Sequence, residues 1–277
     1  MKITFNSGAV STERCDGFAP LLHKGLGLLG SLLLIVVCVS PVVAADFQIQ
    51  PTSIVLASNE KSGAFTVINN GNDKIDFQVA VKEWSQDAKG KDVYEDTKAI
   101  VFFPKIMTLA AHEQRAIRIG LKTPPSQKEQ TFRLFVEEIP TPKKETELAN
   151  TGKIQAGLTI AFRFATPIFV MPIKPQESAD IEKMGMSKGM VNAFVKNTGN
   201  VHIKLTNITF LGKAADGKEL FTKEVAGWYI LHGLSVPYET SVPAEFCASL
   251  ATIEVKAATP NMNIAKTMSV EKSMCVQ

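Results

Sequence analysis

The chain has 277 residues, 45% of them hydrophobic and 21% charged, with a formal net charge of +3. That is enough apolar material for one or two buried cores. The charge is too balanced, and too free of basic runs interleaved with aromatics, to suit a nucleic-acid partner.

The first 45 residues read as a targeting segment. Lys24 precedes the apolar run LGLLGSLLLIVVCV, Leu26 to Val39, and small residues follow at Val42-Val43-Ala44-Ala45. This is the pattern of a signal peptide over 1–45, cleaved after Ala44 or Ala45. The run is short for a membrane-spanning helix, so an uncleaved anchor is the lesser alternative. Export would leave Cys247 and Cys275 in the mature chain, in an oxidising compartment that favours a disulfide over two buried thiols.

From Phe47 the chain reads as short strands. FQIQPTSIVLA is interrupted by Pro51, which suits an edge strand. Asn59 to Gly63 is a turn. AFTVINN and IDFQVAVKEW flank Asn69-Asn70-Gly71-Asn72, where Asn and Gly are expected to supply a positive φ. VYEDTKAIVFFP, IMTLA and QRAIRIGLK follow, and Thr123 to Ser126 breaks the chain before TFRLFVEEIP. The charged stretch between Pro140 and Ala156 reads as a loop.

GLTIAFRFATPIFVM, Gly157 to Met171, then alternates. Leu158, Ile160, Phe162 and Phe164 share one face of a strand, and Thr159, Ala161, Arg163 and Ala165 the other. Four large apolar side chains on one face need a cover, either the chain's own core or another polypeptide.

About seven short strands separated by turns, with no amphipathic helix, predict an antiparallel immunoglobulin-like sandwich over 46–172. Pro172 to Ser178 carries two prolines and polar residues, and the linker is placed at 173–183. A second β-sandwich domain is expected over 184–277. It contains an echo of the first: VKNTGN before HIKLTNITF matches VINNGN before KIDFQVAV, each a strand, an Asn-x-Gly-Asn turn and a strand. The fold class is therefore all-β, with two immunoglobulin-like domains on a short linker. A terminal strand is expected near Thr267 to Cys275.

Catalytic constellations are missing from the sequence. The exported part holds His112, His202 and His232, with no HExxH or H-x-H spacing, and Cys247 has no Cys or His at ligand spacing, so no metal or cofactor is expected. There is no G-x-S-x-G elbow, P-loop or dinucleotide fingerprint. Glu137 and Glu138 fall on opposite faces of a strand and do not make an acid–base pair. The histidines are expected at the surface or between domains.

TFRLFVEEIP followed by GLTIAFRFATPIFVMP resembles the periplasmic pilus-assembly chaperones, the PapD-like family. The likeness spans the exported chain, is strongest from Thr131 to Pro172, and is weak after Met184. The resemblance implies two immunoglobulin-like domains in the periplasm and a non-enzymatic activity. Such a chaperone lends a strand to an incomplete pilin subunit and delivers it to an outer-membrane usher. On that reading 157–171 is the donor strand, and Leu158, Ile160, Phe162 and Phe164 fill the subunit's pockets. An exposed apolar face of this kind also makes self-association of the free chaperone an expectation. The alternative is a secreted or surface adhesive protein with two such domains, which would have no use for a donor face.

The sequence departs from the best-known members, in which an arginine of the first strand and a lysine of the donor strand grip the subunit's terminal carboxylate. Ser53 and Pro167 stand at the matching positions, and Met171 where a further arginine is usual. The pattern is nearer the archaic branch, whose arginines match Arg133 and Arg163. Guanidinium groups bind carboxylates bidentately, so these two are expected to form the anchor; the alternative is a pair of solvated arginines, or internal pairing with Glu137 or Glu138.

Overall fold

The computed structural model describes residues 47–124, 126–140 and 161–275, and among them every regular element is a strand apart from two 3-10 turns. The first part holds β1 (Phe47–Gln50), β2 (Ile54–Leu56), β3 (Ser62–Asn69), β4 (Ile75–Gln86), β5 (Asp92–Asp96), β6 (Ile100–Phe103), β7 (Ile106–Leu109), β8 (Gln114–Leu121), β9 (Gln130–Ile139) and β10 (Arg163–Val170). The second holds β11 (Ala179–Ser187), β12 (Met190–Asn197), β13 (Ile203–Lys204), β14 (Asn207–Lys213), β15 (Glu219–Ala226), β16 (Tyr229–Ile230), β17 (Ser235–Ser241), β18 (Thr252–Ala258) and β19 (Asn263–Ser269). Residues 1–45, read from the sequence as a signal peptide, lie outside the described residues, as does Asp46.

In the first sandwich one sheet runs β1-β3-β8-β6 and the other β2-β10-β9-β4-β5, with β7 also pairing β4. Pro51 lies where the chain changes sheets: β1 edges one and β2 edges the other, as a strand broken by proline should. The inward side chains of both sheets, among them Phe47, Phe65, Phe77, Leu109, Ile117, Leu134 and Ile168, form one core. The alternation that predicted the strands is the alternation that fills it. β9 departs from it, being buried on both faces from Thr131 to Val136. It is a central strand, and its outer face is roofed by aromatic side chains and by the second sandwich.

The second sandwich sets β11-β12-β17 and the pair β13-β16 against β15-β14-β18-β19. Its own core centres on Ile181, Val195, Ile208, Phe210, Ile253 and Val255. β11 opens at Ala179, so part of the stretch read as linker is strand. Its periodicity is weak because only Ile181 and Met186 point firmly inward. The expected terminal strand is also displaced. β19 ends at Ser269, and a 3-10 turn, Lys272–Cys275, carries Cys275 back to a disulfide with Cys247.

The echo read from the sequence is a real structural repeat. Asn69 and Asn197 end β3 and β12, and both are fully buried. Each Oδ1 accepts the N–H of the glycine two residues on, Gly71 or Gly199. Each Nδ2 donates to the carbonyl four residues on, Asp73 or Val201, and to a strand end opposite, Leu109 or Ile230. The expected positive φ is not used at either corner. The Asn side chain makes the turn by satisfying main-chain groups, which leaves the backbone free to stay in ordinary regions.

Candidate functional site

The site is the last strand of the first sandwich, with the layer that covers its sheet. β10 pairs antiparallel with β9 along its whole length, Arg163 opposite Glu137 through Val170 opposite Gln130. Its other edge is divided. Ile168 to Val170 pair in parallel with Ile54 to Leu56 of β2, while no described strand pairs with that edge from Arg163 to Pro167.

Phe162 and Phe164 point to the core side and are half-buried, packed at the margin of the first core. Phe164 meets Phe47 edge-on at 4.9 Å. Ile168 and Val170, farther along the same face, are fully buried. Leu158 and Ile160 lie outside the described residues.

The opposite face carries the two arginines, and the structure does not bring them together. Pro167 lies opposite Arg133, and Arg163 opposite Glu137, which sets the arginines roughly 13 Å apart along the strands. Phe135 lies between them. Arg163 is half-exposed, lies over the Phe135 ring at 4.2 Å and pairs with Glu137 at 3.7 Å. Arg133 is 4% exposed. Its guanidinium stacks on Trp84 at 3.8 Å, pairs with Asp92 at 3.7 Å and donates from Nη1 to the Ala165 carbonyl at 3.3 Å. Burial pushes the Arg133 guanidinium below its usual value, and Tyr94, Asp92 and Tyr229 oppose that shift. Each arginine thus has a carboxylate of its own, and the two do not converge on one point in the free chain. Strand register holds them apart, and the roof over β9 encloses one but not the other.

The roof was not read from the sequence. Asp92 gathers it: Trp84 Nε1 donates to Asp92 Oδ1 at 2.9 Å, Gln86 Nε2 at 3.2 Å, and the Tyr94 hydroxyl reaches Asp92 Oδ2 at 3.1 Å. Burial first, then the Asp92 charge, pushes the Tyr94 phenol up to about 12. The only signal in the sequence was aromatic and acidic residues on the outward positions of β4 and β5, which any solvated sheet face could show.

Beyond Trp84 the layer becomes the joint between the sandwiches. Trp84, Phe169 and Leu231 form a small core of their own, flanked by Tyr94, Tyr229 and Leu234. Gln86 holds the second sandwich by both ends of its amide: Nε2 donates to the Tyr229 carbonyl at 2.9 Å, and Oε1 accepts the Leu231 N–H at 3.1 Å. Glu129, buried, accepts the His202 N–H at 2.8 Å, and the His202 Nδ1 lies 2.8 Å from it, with the ring stacked on Phe169 at 3.7 Å. Asn200 bonds the carbonyls of Gln127 and Lys174 and the N–H of Gln176. His202 is thus an inter-domain residue, as one reading of the histidines expected. Among the described residues no group of His, Cys, Asp and Glu is arranged to hold a metal ion, and no helix is long and apolar enough to cross a membrane.

No curated protein matches the chain in sequence. Among solved structures, it is similar to a chain of the CsuC–CsuE chaperone–tip adhesion subunit pre-assembly complex, from archaic chaperone–usher Csu pili of Acinetobacter baumannii. That match has 19% identity and a TM-score of 0.55 over 80% of this chain and 97% of that one. It is also similar to the class 5 fimbriae chaperone CfaA, at 16% identity and a TM-score of 0.51 over 81% of this chain and 100% of that one. A chain of the Salmonella enterica SafA pilin–SafB chaperone complex matches at 14% identity and a TM-score of 0.50, over 82% and 98% of the two chains. At such identities these likenesses establish the fold. The family model described as pili and flagellar-assembly chaperone, PapD N-terminal domain, matches residues 46–176, which contain β1 to β10 and both arginines. Over those residues the chain carries the PapD-like N-terminal domain of the pilus-assembly chaperones.

Proposed function

We propose that the protein works in the periplasm as a non-enzymatic chaperone that holds pilin subunits by lending them β10 as a strand, and delivers them to an outer-membrane usher. The observation that carries this reading is the division of β10. One half is sealed by β2, and the other leaves main-chain groups and two half-buried phenylalanines at an edge no described strand covers. An incoming strand would gain a hydrogen-bonded ladder there and complete the burial of Phe162 and Phe164. The area still open is worth roughly 1 kcal/mol at each ring. Leu158 and Ile160 would extend the same apolar row.

Of the two arginines, Arg163 is the one free to trade partners. It is half-exposed and its pair with Glu137 is loose, so an incoming carboxylate can replace Glu137 at little cost. Arg133 is committed to Asp92, Trp84 and Ala165. In the free protein the same open edge could pair with a second copy.

The test is periplasmic co-expression with a pilin subunit encoded beside the gene for this chain. A soluble one-to-one complex is expected, lost when Phe162 and Phe164 are both changed to Glu. The free variant is checked separately for an unchanged unfolding transition. A complex that survives the double change would overturn the donor role of this face.

A further inference from the structure

We infer that Pro167 is a register stop: it ends the open edge of β10, so that an added strand pairs with Arg163 and Ala165 and no farther. The inference rests on the strand-addition reading above and specifies how the added strand is aligned.

Successive residues of a strand turn their main-chain groups to opposite edges. The Phe162 carbonyl accepts the Glu138 N–H at 2.9 Å, so even-numbered residues of this strand face β9. The Met171 N–H donates to the Leu56 carbonyl at 2.8 Å, so odd-numbered residues face the other edge. Arg163 and Ala165 therefore present both main-chain groups to the stretch that no described strand covers, and Pro167 only its nitrogen, because the parallel pairing of Ile168 with Ile54 runs through the Pro167 carbonyl and the Phe169 N–H. Arg163 and Ala165 each offer an N–H there, and Pro167 offers none. The next odd residue, Phe169, lies inside the pairing with β2. The row of free donors closes at Ala165.

Pro167 stands where a proline does no harm to the sheet itself. At 166 or 168 it would delete a hydrogen bond to β9. At 167 the ladder to β9 is intact, and only a strand arriving from outside meets the missing donor. Pro167 is also buried, directly across from the buried Arg133, so the position cannot swing aside.

This supplies what the alternating face cannot supply alone. A slip of one residue would turn every apolar side chain to the wrong face and is penalised by burial. A slip of two keeps the face and is nearly neutral for an alternating pattern. Removing the donor at 167 penalises the two-residue slip toward β2 and leaves one alignment favoured. The position at which a gripping lysine was expected thus holds a residue that sets alignment without charge.

Pro167→Ala restores the N–H and gives two readouts. In the free protein, the new amide at position 167 should exchange with solvent faster than those of Thr166 and Ile168, which face β9. Strong protection would show the edge to be closed internally and overturn the inference. In the complex with the co-expressed pilin, Ala165→Cys is combined with single cysteines placed along the pilin's pairing strand. Cys247 and Cys275 are bonded to each other and do not compete. With Pro167 in place one pilin position should dominate the crosslink. With Pro167→Ala, the position two residues away should gain about fivefold, the ratio expected from one added hydrogen bond. Pro167→Val, a strand former, serves as a second variant with the same expectation. An unchanged crosslink pattern in both variants overturns the register role while leaving strand addition standing. The absence of any crosslink with Pro167 in place would instead overturn strand addition.

Discussion

Asn69 and Asn197 stand at the same corner of the two sandwiches, and the two corners have been put to different uses. Their internal hydrogen bonds follow one pattern, down to the main-chain N–H of each Asn, which donates to the residue preceding the partner strand, Glu113 or Leu234, with one bond more at Asn69, from Nδ2 to the Ala110 carbonyl. The larger difference is the residue three positions on. Asn72 is exposed and belongs to a plain surface turn. Asn200 bonds the first sandwich at Gln127 and the linker at Lys174 and Gln176, while its carbonyl accepts the Glu129 N–H. Gly199 allows that approach, since a Cβ there would lie 2.3 Å from the Gln176 carbonyl oxygen. A corner that each sandwich needs for its own closure has, in the second, also become half of the joint.

The strongest way to break the comparison is to remove the corner. Asn69→Ala and Asn197→Ala each leave buried carbonyls without donors, and each should cost its own sandwich about 3 kcal/mol. Amide exchange read separately over the two sandwiches would show the loss in one and not the other. An equal loss in both would mean that the sandwiches unfold as one unit and that the corners are not independent.

A comparable effect, confined to the second sandwich, is expected from Cys247→Ser with Cys275→Ser. The disulfide closes a loop over 28 positions containing β18 and β19, and its loss should destabilise that sandwich by about 3 kcal/mol. The first sandwich should show no change in its exchange profile. If it does change, the joint transmits stability between them.

The finest contrast is Asn200→Ala against Asn72→Ala. The first should loosen the joint by about 1 kcal/mol, seen as faster amide exchange from Lys174 to Ser178 and a wider spread of inter-domain distances in solution scattering. The second should stay within about 0.5 kcal/mol of neutral. Matching effects would show that Asn200 serves the corner alone.

Much of this was legible before the structure because it depends on local periodicity. The alternation in the first sandwich located its strands, Pro51 marked an edge, and the Asn-x-Gly-Asn phrases marked a repeat. The beginning of β11 was misplaced because a strand with only two firmly buried side chains carries little pattern. Arg133 and Arg163 looked alike in sequence. One is enclosed by Trp84, Asp92 and Tyr94, which arrive from other strands, and the other lies beyond the roof.

By itself the sequence determined that the chain is all-β, that two related sandwiches follow one another, and that one strand near the end of the first carries an alternating apolar face. These follow from the period of two and from turn chemistry, which are properties of neighbouring residues. Only the tertiary structure decided that half of β10 is sealed by β2, that Pro167 falls on the outward side of the ladder, and that Asn200, Gln86 and Glu129 join the sandwiches. Those depend on which distant strands become neighbours, and main-chain groups, alike in every residue but proline, leave no mark in the sequence of which edge they face.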